Sequence, residues 1–185
     1  MPAVSAVVPA AGLSRRMGGP NKLLLPYDDT TVVSAVVRTL LDCGLDVVVV
    51  TGRDADDVRR AVGPARTIHN PDFEKGLGTS IAAGVRAVPV TNAVLIALGD
   101  MPALREDVVN ALVTHASSSN IVVPRYIDDP DTPGHPVLFG SAFRQSLTDL
   151  RGDKGAMSVI KQYASSVMSV PVSGSLHDID DPSHT

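Results

Sequence analysis

Ala6-Val7-Val8-Pro9-Ala10-Ala11-Gly12-Leu13-Ser14-Arg15-Arg16-Met17-Gly18-Gly19-Pro20-Asn21-Lys22-Leu23-Leu24-Leu25 sets the terms for the rest of the chain. With Val4, the residues Val7 and Val8 open it as a short buried strand, because β-branched side chains suit a covered, pleated surface. Pro9 offers no amide to a neighbour and is expected to end that strand. The following loop is rich in small residues (Ala10, Ala11, Gly12, Ser14, Gly18 and Gly19), which let backbone N–H groups approach a ligand closely. Arg15, Arg16 and Lys22 add fixed positive charge to the same loop. A strand, a small-residue loop and cations are together what a polyphosphate site needs.

The better-known phosphate loops do not fit. A P-loop requires G-x-x-x-x-G-K-[ST]. Here five residues separate Gly12 from Gly18, and Gly19 stands where Lys is required. The dinucleotide pattern G-x-G-x-x-G fails as well, because Gly76-x-Gly78 is followed by Ile81. The plain alternative is a strand-to-helix turn with solvated basic residues. Three cations among so many small residues after a buried strand favour phosphate.

The chain has 185 residues, and one domain over 1–185 is expected. Its hydrophobic fraction of 44% suffices for a core. Aromatics are only 3%, so that core must be built from Val, Ala, Leu and Ile, as suits parallel strands covered by helices. The net charge of −4 argues against nucleic acid as the main partner. No apolar run has the length of a membrane span and no signal peptide is visible, so a cytoplasmic protein is expected. The single cysteine, Cys43, lies in an apolar helical stretch and is expected to be a buried core thiol.

Apolar residues at helical spacing predict a helix from Thr30 to Cys43, started by Thr30 or Thr31 and stopped by Gly44. Asp46–Thr51 (D-V-V-V-V-T) is a continuous β-branched strand. Asp54–Val62 reads as a short helix capped by Asp54, Arg66–His69 as a strand and Gly78–Val88 as a helix. Asn92–Leu98 is a second buried strand, followed by Gly99-Asp100-Met101-Pro102. A helix over Arg105–Ser117, strands over Asn120–Tyr126 and His135–Phe139, helices over Ser141–Leu150 and Lys154–Tyr163, and a last strand over Ser166–Val172 complete the pattern. Strands alternating with helices imply an α/β fold with a mostly parallel sheet.

In such sheets ligands sit outside the carboxyl ends of the strands. That rule brings the loop with Gly12, Arg16 and Lys22 towards the loop with Asp100. A carboxylate facing a triphosphate repels it unless a divalent cation stands between them, which makes Asp100 a candidate Mg²⁺ ligand. Its alternative is a cap for the turn before Pro102.

Ala10–Leu24, A-A-G-x-S-x-R-M-G-x-x-N-K-L-L, resembles the signature of the nucleotidyltransferases that finish molybdenum cofactors, closest to the molybdenum cofactor cytidylyltransferase family. The resemblance runs nearly end to end. Asn70, Gly76, Ser80 and Gly84 match its N…G…S…G segment, and Leu98–Pro102 its L-x-D-M-P motif. Gly134–Phe139 matches G-H-P-V-L-F, Gly152–Ala156 matches G-D-x-G-A, and Asp178-Ile179-Asp180 with Pro182 matches D-I-D-x-P. Five further motifs in order after the signature are far more specific than any one.

The resemblance implies a three-layer α/β/α, Rossmann-like nucleotidyltransferase fold. It implies nucleotide contacts at Ala10, Ala11, Gly12, Ser14, Arg16, Lys22, Asn70, Ser80 and Asp100. Arg16 and Lys22 would grip the triphosphate, and Asp100 with Asp180, joined by Asp178, would hold Mg²⁺. Gly76, His135, Pro136, Asp153 and Gly155 would line the acceptor side. On the residues alone, Asp178 and Asp180 read as a solvated acidic tail, Asn70 and Ser80 as turn and helix polar groups, and His135 as a strand-edge histidine.

The implied reaction is Mg²⁺-dependent transfer of CMP from CTP to the phosphate of molybdopterin, with release of pyrophosphate and a molybdoenzyme as eventual client. The acceptor phosphate is already ionised, so no strong general base is required, and alignment with charge neutralisation carries the reaction. Two residues depart from the pattern: Met157 stands where the family has Arg, and Pro9 where this branch more often has Leu. V-P-A-A-G is also similar to the cytidylyltransferases of isoprenoid synthesis. Guanylyl transfer, a sugar-phosphate or isoprenoid acceptor, and a nucleotide-binding regulator without transfer activity are the alternatives.

Overall fold

The opening run forms β1 (Val4–Ala10), buried at every position, in a computed structural model that describes residues 1–12, 21–128 and 134–173. A one-turn 3-10 helix (Lys22–Leu24) precedes the small hairpin of β2 (Pro26–Tyr27) and β3 (Thr30–Thr31). Then come α1 (Val32–Asp42), β4 (Asp46–Thr51), α2 (Ala55–Ala61), β5 (Arg66–His69), α3 (Leu77–Ala87) and β6 (Ala93–Ile96). The chain continues through α4 (Glu106–Thr114), β7 (Ile121–Tyr126), β8 (Val137–Phe139), α5 (Arg144–Thr148), α6 (Met157–Gln162) and β9 (Val167–Val172). Among the described residues, no helix is long and apolar enough to cross a membrane.

Seven strands make one sheet in the order β5-β4-β1-β6-β8-β7-β9. All are parallel except β8, which runs antiparallel to β6 and β7. The period of two along a strand sends alternate residues of β1 to opposite faces. Ala6, Val8 and Ala10 pack with α1, α2 and α4. Val7 joins Val48, Val50 and Ile96 beneath α3, α5 and α6. The result is the three-layer arrangement, with a core of Val, Ala, Leu and Ile. From β1 the chain moves to β4 and β5 on one side, then returns to β6 on the other. Loops leaving β1 and β6 therefore diverge and open a crevice at their carboxyl ends.

Pro9 does not end the first strand; it lies inside β1, opposite Val50. The Val7 carbonyl accepts from Ala97 N at 3.1 Å, on the β6 side. Pro9, two residues on, turns its nitrogen to that same side, beyond the last paired residue of β6, so no ladder bond is lost. Asp54 precedes α2 without capping it. Its φ is +54°, and its carboxylate engages Asn21 and Arg53 instead. Cys43 is half-buried, not a core thiol: it follows the last turn of α1, with Sγ facing the Glu106 carbonyl, and burial raises its pKa. Gly44 stops α1 as expected, at φ +72° with its amide on Leu41 O.

Candidate active site

A cavity of about 390 Å³ opens where β1 and β6 end, a size suited to a small-molecule ligand. Ala10 and Ala11 are buried at the end of β1, and among the described residues nothing lies within 4 Å of the place a Cβ would take on Gly12. Ala11 and Gly12 line the cavity, as do Lys22, Ser80, Asp100 and Asp153.

Lys22 is aimed by its neighbour. Asn21 is only 4% exposed. Its Oδ1 accepts from Leu23 N at 3.1 Å, and its Nδ2 donates to Asp54 Oδ2 at 3.2 Å. This clip ties the chain after the first loop to the end of β4. On the facing side, Gly99 turns the chain after β6 over the Pro9 carbonyl, which would lie 3.2 Å from a Cβ there. The turn brings Asp100 Oδ2 to 2.6 Å from Lys22 Nζ, with both side chains about one-fifth exposed (22% and 23%). The Asp100 carboxylate is thus held by an ammonium at the cavity wall. Lys22 pairs with the Asp100 carboxylate from within the chain.

The other wall is the start of α3. Gly76 has φ +111°, and a Cβ there would meet Gly152 C at 2.4 Å and Asp153 Oδ1 at 2.5 Å. Gly78 N donates to Gly152 O at 2.9 Å. Only glycine permits this approach, which carries Asp153 to the cavity. Gly155 stands back from it, 3.5 Å by its Cβ position from Leu77 Cδ2. Ser80 is buried at the wall, and its Oγ accepts from Asn70 Nδ2 at 3.0 Å. Asn70 lies behind that wall: Nδ2 also donates to Thr79 Oγ1 and Oδ1 accepts from Asp72 N.

His135 and Pro136 precede β8, whose Val137 pairs with Ile96, so they stand at the same sheet edge. Neither is among the described residues lining the cavity. The Tyr126 hydroxyl donates to the His135 carbonyl at 2.8 Å, and burial raises the tyrosine's pKa. Ser14, Arg16, Asp178 and Asp180 lie outside the described residues. The sequence-based site omitted Asn21 and Phe73. Asn21 belongs to the N-K-L-L motif and could have been taken from it. Phe73, which lines the cavity, was signalled by a lone aromatic in the polar run Asp72-Phe73-Glu74-Lys75.

Residues 6–167 match the MobA-like NTP transferase domain. The chain belongs to the MobA-like NTP transferase family. It is a nucleotidyltransferase, and the cavity at the ends of β1 and β6 is the candidate active site of this MobA-like enzyme. It is 34% identical over 170 residues to the nicotine blue oxidoreductase of Paenarthrobacter nicotinovorans, covering 88% of this chain and 83% of that protein. It is 31% identical over 141 residues to the molybdenum cofactor cytidylyltransferase of Escherichia coli, covering 75% and 70%. The crystal structure of Rv0371c from Mycobacterium tuberculosis superposes with a TM-score of 0.85 at 30% identity, over 97% of this chain and 94% of that one. A complex of Rv0371c with manganese gives 0.82 at 27% identity, over 98% and 95%. This MobA-like chain therefore has the mostly parallel, helix-flanked sheet expected from its sequence.

Proposed function

We propose that this MobA-like nucleotidyltransferase moves CMP from CTP to the phosphate of molybdopterin, or of its molybdenum-loaded form, and releases pyrophosphate. The observation that carries the proposal is the Lys22–Asp100 pair, 2.6 Å apart at the wall of a cavity where β1 and β6 diverge. The acceptor phosphate attacks the α-phosphorus of CTP, one P–O bond forms, and the bond to pyrophosphate breaks. The nucleophile arrives ionised, so the protein aligns and neutralises.

Ala10, Ala11 and Gly12 hold the nucleotide with backbone groups. Lys22 and Arg16 take the triphosphate charge, Lys22 nearer the α-phosphate and Arg16 nearer the leaving pyrophosphate. Ser14 and Ser80 add polar contacts, and Asn70 acts by orienting Ser80. Gly76, His135, Pro136, Asp153 and Gly155 form the acceptor side.

Asp100 and Asp180 hold a divalent cation, Mg²⁺ in this proposal. Among the described residues no group of three or more His, Cys, Asp or Glu converges. Asp100 at the cavity wall still fits Mg²⁺, which takes one or two carboxylates and completes its shell with water and substrate phosphates. When bound, the ion supplies charge stabilisation at the phosphoryl oxygens. The manganese complex of Rv0371c supports a divalent ion, and the resemblance to the Escherichia coli cytidylyltransferase supports the acceptor.

The CTP preference rests on Ala11. Its methyl group narrows the space beside the base, where glycine would widen it. Guanine would also leave loop groups that suit cytosine unpaired, at roughly 1–3 kcal/mol for each one buried. The test is competition between CTP and GTP with Mg²⁺ and molybdopterin, read by pyrophosphate release and repeated on Ala11→Gly. Equal use of both nucleotides would refute the cytidylyl assignment. No release with any nucleoside triphosphate would refute transfer to molybdopterin.

A further inference from the structure

Three phenylalanines occur in the chain. Phe139 and Phe143 are buried in the core under the helices. Phe73 is only half-buried and lines the cavity. Its seat is Gly52, which follows β4. A Cβ on Gly52 would lie 2.5 Å from Phe73 Cγ, 2.6 Å from Phe73 Cβ and 2.8 Å from the Ala11 methyl. The ring therefore rests on bare glycine backbone, with the Ala11 methyl close beside it. The His69 ring stands on another side, centroids 6.3 Å apart and tilted by 60°.

The segment that carries the ring is tied down. Asn70 N donates to Thr51 O at 2.8 Å, Phe73 N donates to Asn70 O at 3.3 Å, and Asn70 Oδ1 takes the Asp72 amide at 3.0 Å. One cavity thus presents charge at Lys22 and Asp100 and a fixed aromatic wall at Phe73. A nucleotide has the same division: an anionic phosphate chain and a flat base with an apolar face.

We infer that Phe73 is a nucleotide-binding residue of this site, packing against the base, and that Gly52 sets the depth of its ring. The inference rests on the nucleotidyl-transfer proposal, which places the base beside Ala11. A base there is within reach of a ring that flanks the same Gly52 position as the Ala11 methyl. Base–aromatic packing contributes through the face that every base shares, so the effect falls on base-bearing ligands and not on phosphate alone.

The experiment measures binding of two probes in Mg²⁺ by isothermal titration: CTP, and inorganic tripolyphosphate, which has no base. Phe73→Ala should weaken CTP by about tenfold or more and leave tripolyphosphate unchanged. Phe73→Tyr, which keeps the ring, should restore CTP. Gly52→Ala should also weaken CTP, because the new methyl must displace the ring and the Ala11 methyl beside it. If Phe73→Ala fails to fold, Phe73→Leu fills the same seat without an aromatic face and should show the same selective loss. Unchanged CTP affinity in the ring-less variants, or equal loss of both probes, would overturn the inference and leave nucleotidyl transfer standing. Wild-type protein that binds no nucleoside triphosphate would overturn both.

Discussion

Lys22 and Asp100, 78 residues apart in sequence, meet at 2.6 Å across the mouth of the crevice between β1 and β6. An ammonium and a divalent cation are alternatives at the same carboxylate oxygen. A triphosphate is in turn an alternative partner for the ammonium. In the proposed reaction, nucleotide and metal binding would be coupled through this ion pair.

Asp100→Asn should abolish most transfer while the protein stays folded. Loss of the ligand charge should cost about 3 kcal/mol of transition-state stabilisation, roughly a hundredfold in rate. Pyrophosphate release, beside a native circular dichroism spectrum and Mn²⁺ binding, checks this. Near wild-type turnover would remove Asp100 from the metal site.

Lys22→Ala should lower turnover more than nucleotide affinity, because a point charge near the α-phosphate acts chiefly on the reacting group. The same variant should bind Mn²⁺ more tightly without nucleotide, since Asp100 loses its competing ammonium. Weaker Mn²⁺ binding in Lys22→Ala would contradict the coupling.

Gly84→Ala should destabilise the fold even though alanine favours a helix by about 1 kcal/mol over glycine. The new methyl would sit 2.3 Å from Val7 Cγ1 and 2.9 Å from Val50 Cγ2, both on buried strands. Overpacking of this kind costs roughly 1–3 kcal/mol, with more where the strands cannot shift. A thermal midpoint several degrees below wild type is expected. A higher midpoint would show that α3 can lift without cost.

Tyr126→Phe separates two effects by pH. At neutral pH it removes the hydrogen bond to the His135 carbonyl, a loss of about 1 kcal/mol. Burial raises the Tyr126 pKa above its ordinary value of 10.0. The folded protein therefore keeps a proton that the unfolded chain gives up. The stability that this contributes is complete below pH 10.0 and is lost as pH rises through the raised folded value. Urea midpoints should fall more steeply above that pH in wild type than in Tyr126→Phe, and parallel curves would exclude Tyr126 as the source.

The sequence by itself determined most elements and their order, but not the small β2–β3 hairpin, whose Thr30–Thr31 strand it read as the start of α1. A run such as Val47–Val50 can be satisfied only as a covered strand, and glycine at position 44 stops α1 through its own backbone freedom. It also indicated which loops meet, because strand–helix alternation implies a parallel sheet whose ligands lie at one edge. Tertiary structure decided what depends on neighbours distant in sequence. Pro9 continues its strand because β6 has already ended beside it. Asp54 leaves its helix amides for Asn21, and Asn70 turns towards Ser80 and Thr79. The place of Phe73 depends on the missing side chain of Gly52, and the docking of Asp153 on those of Gly76 and Gly78. Patterns of polarity and backbone preference act over a few residues and are written locally. Close approach of two backbones, and the choice among hydrogen-bond partners, exist only once the sheet has brought those segments together.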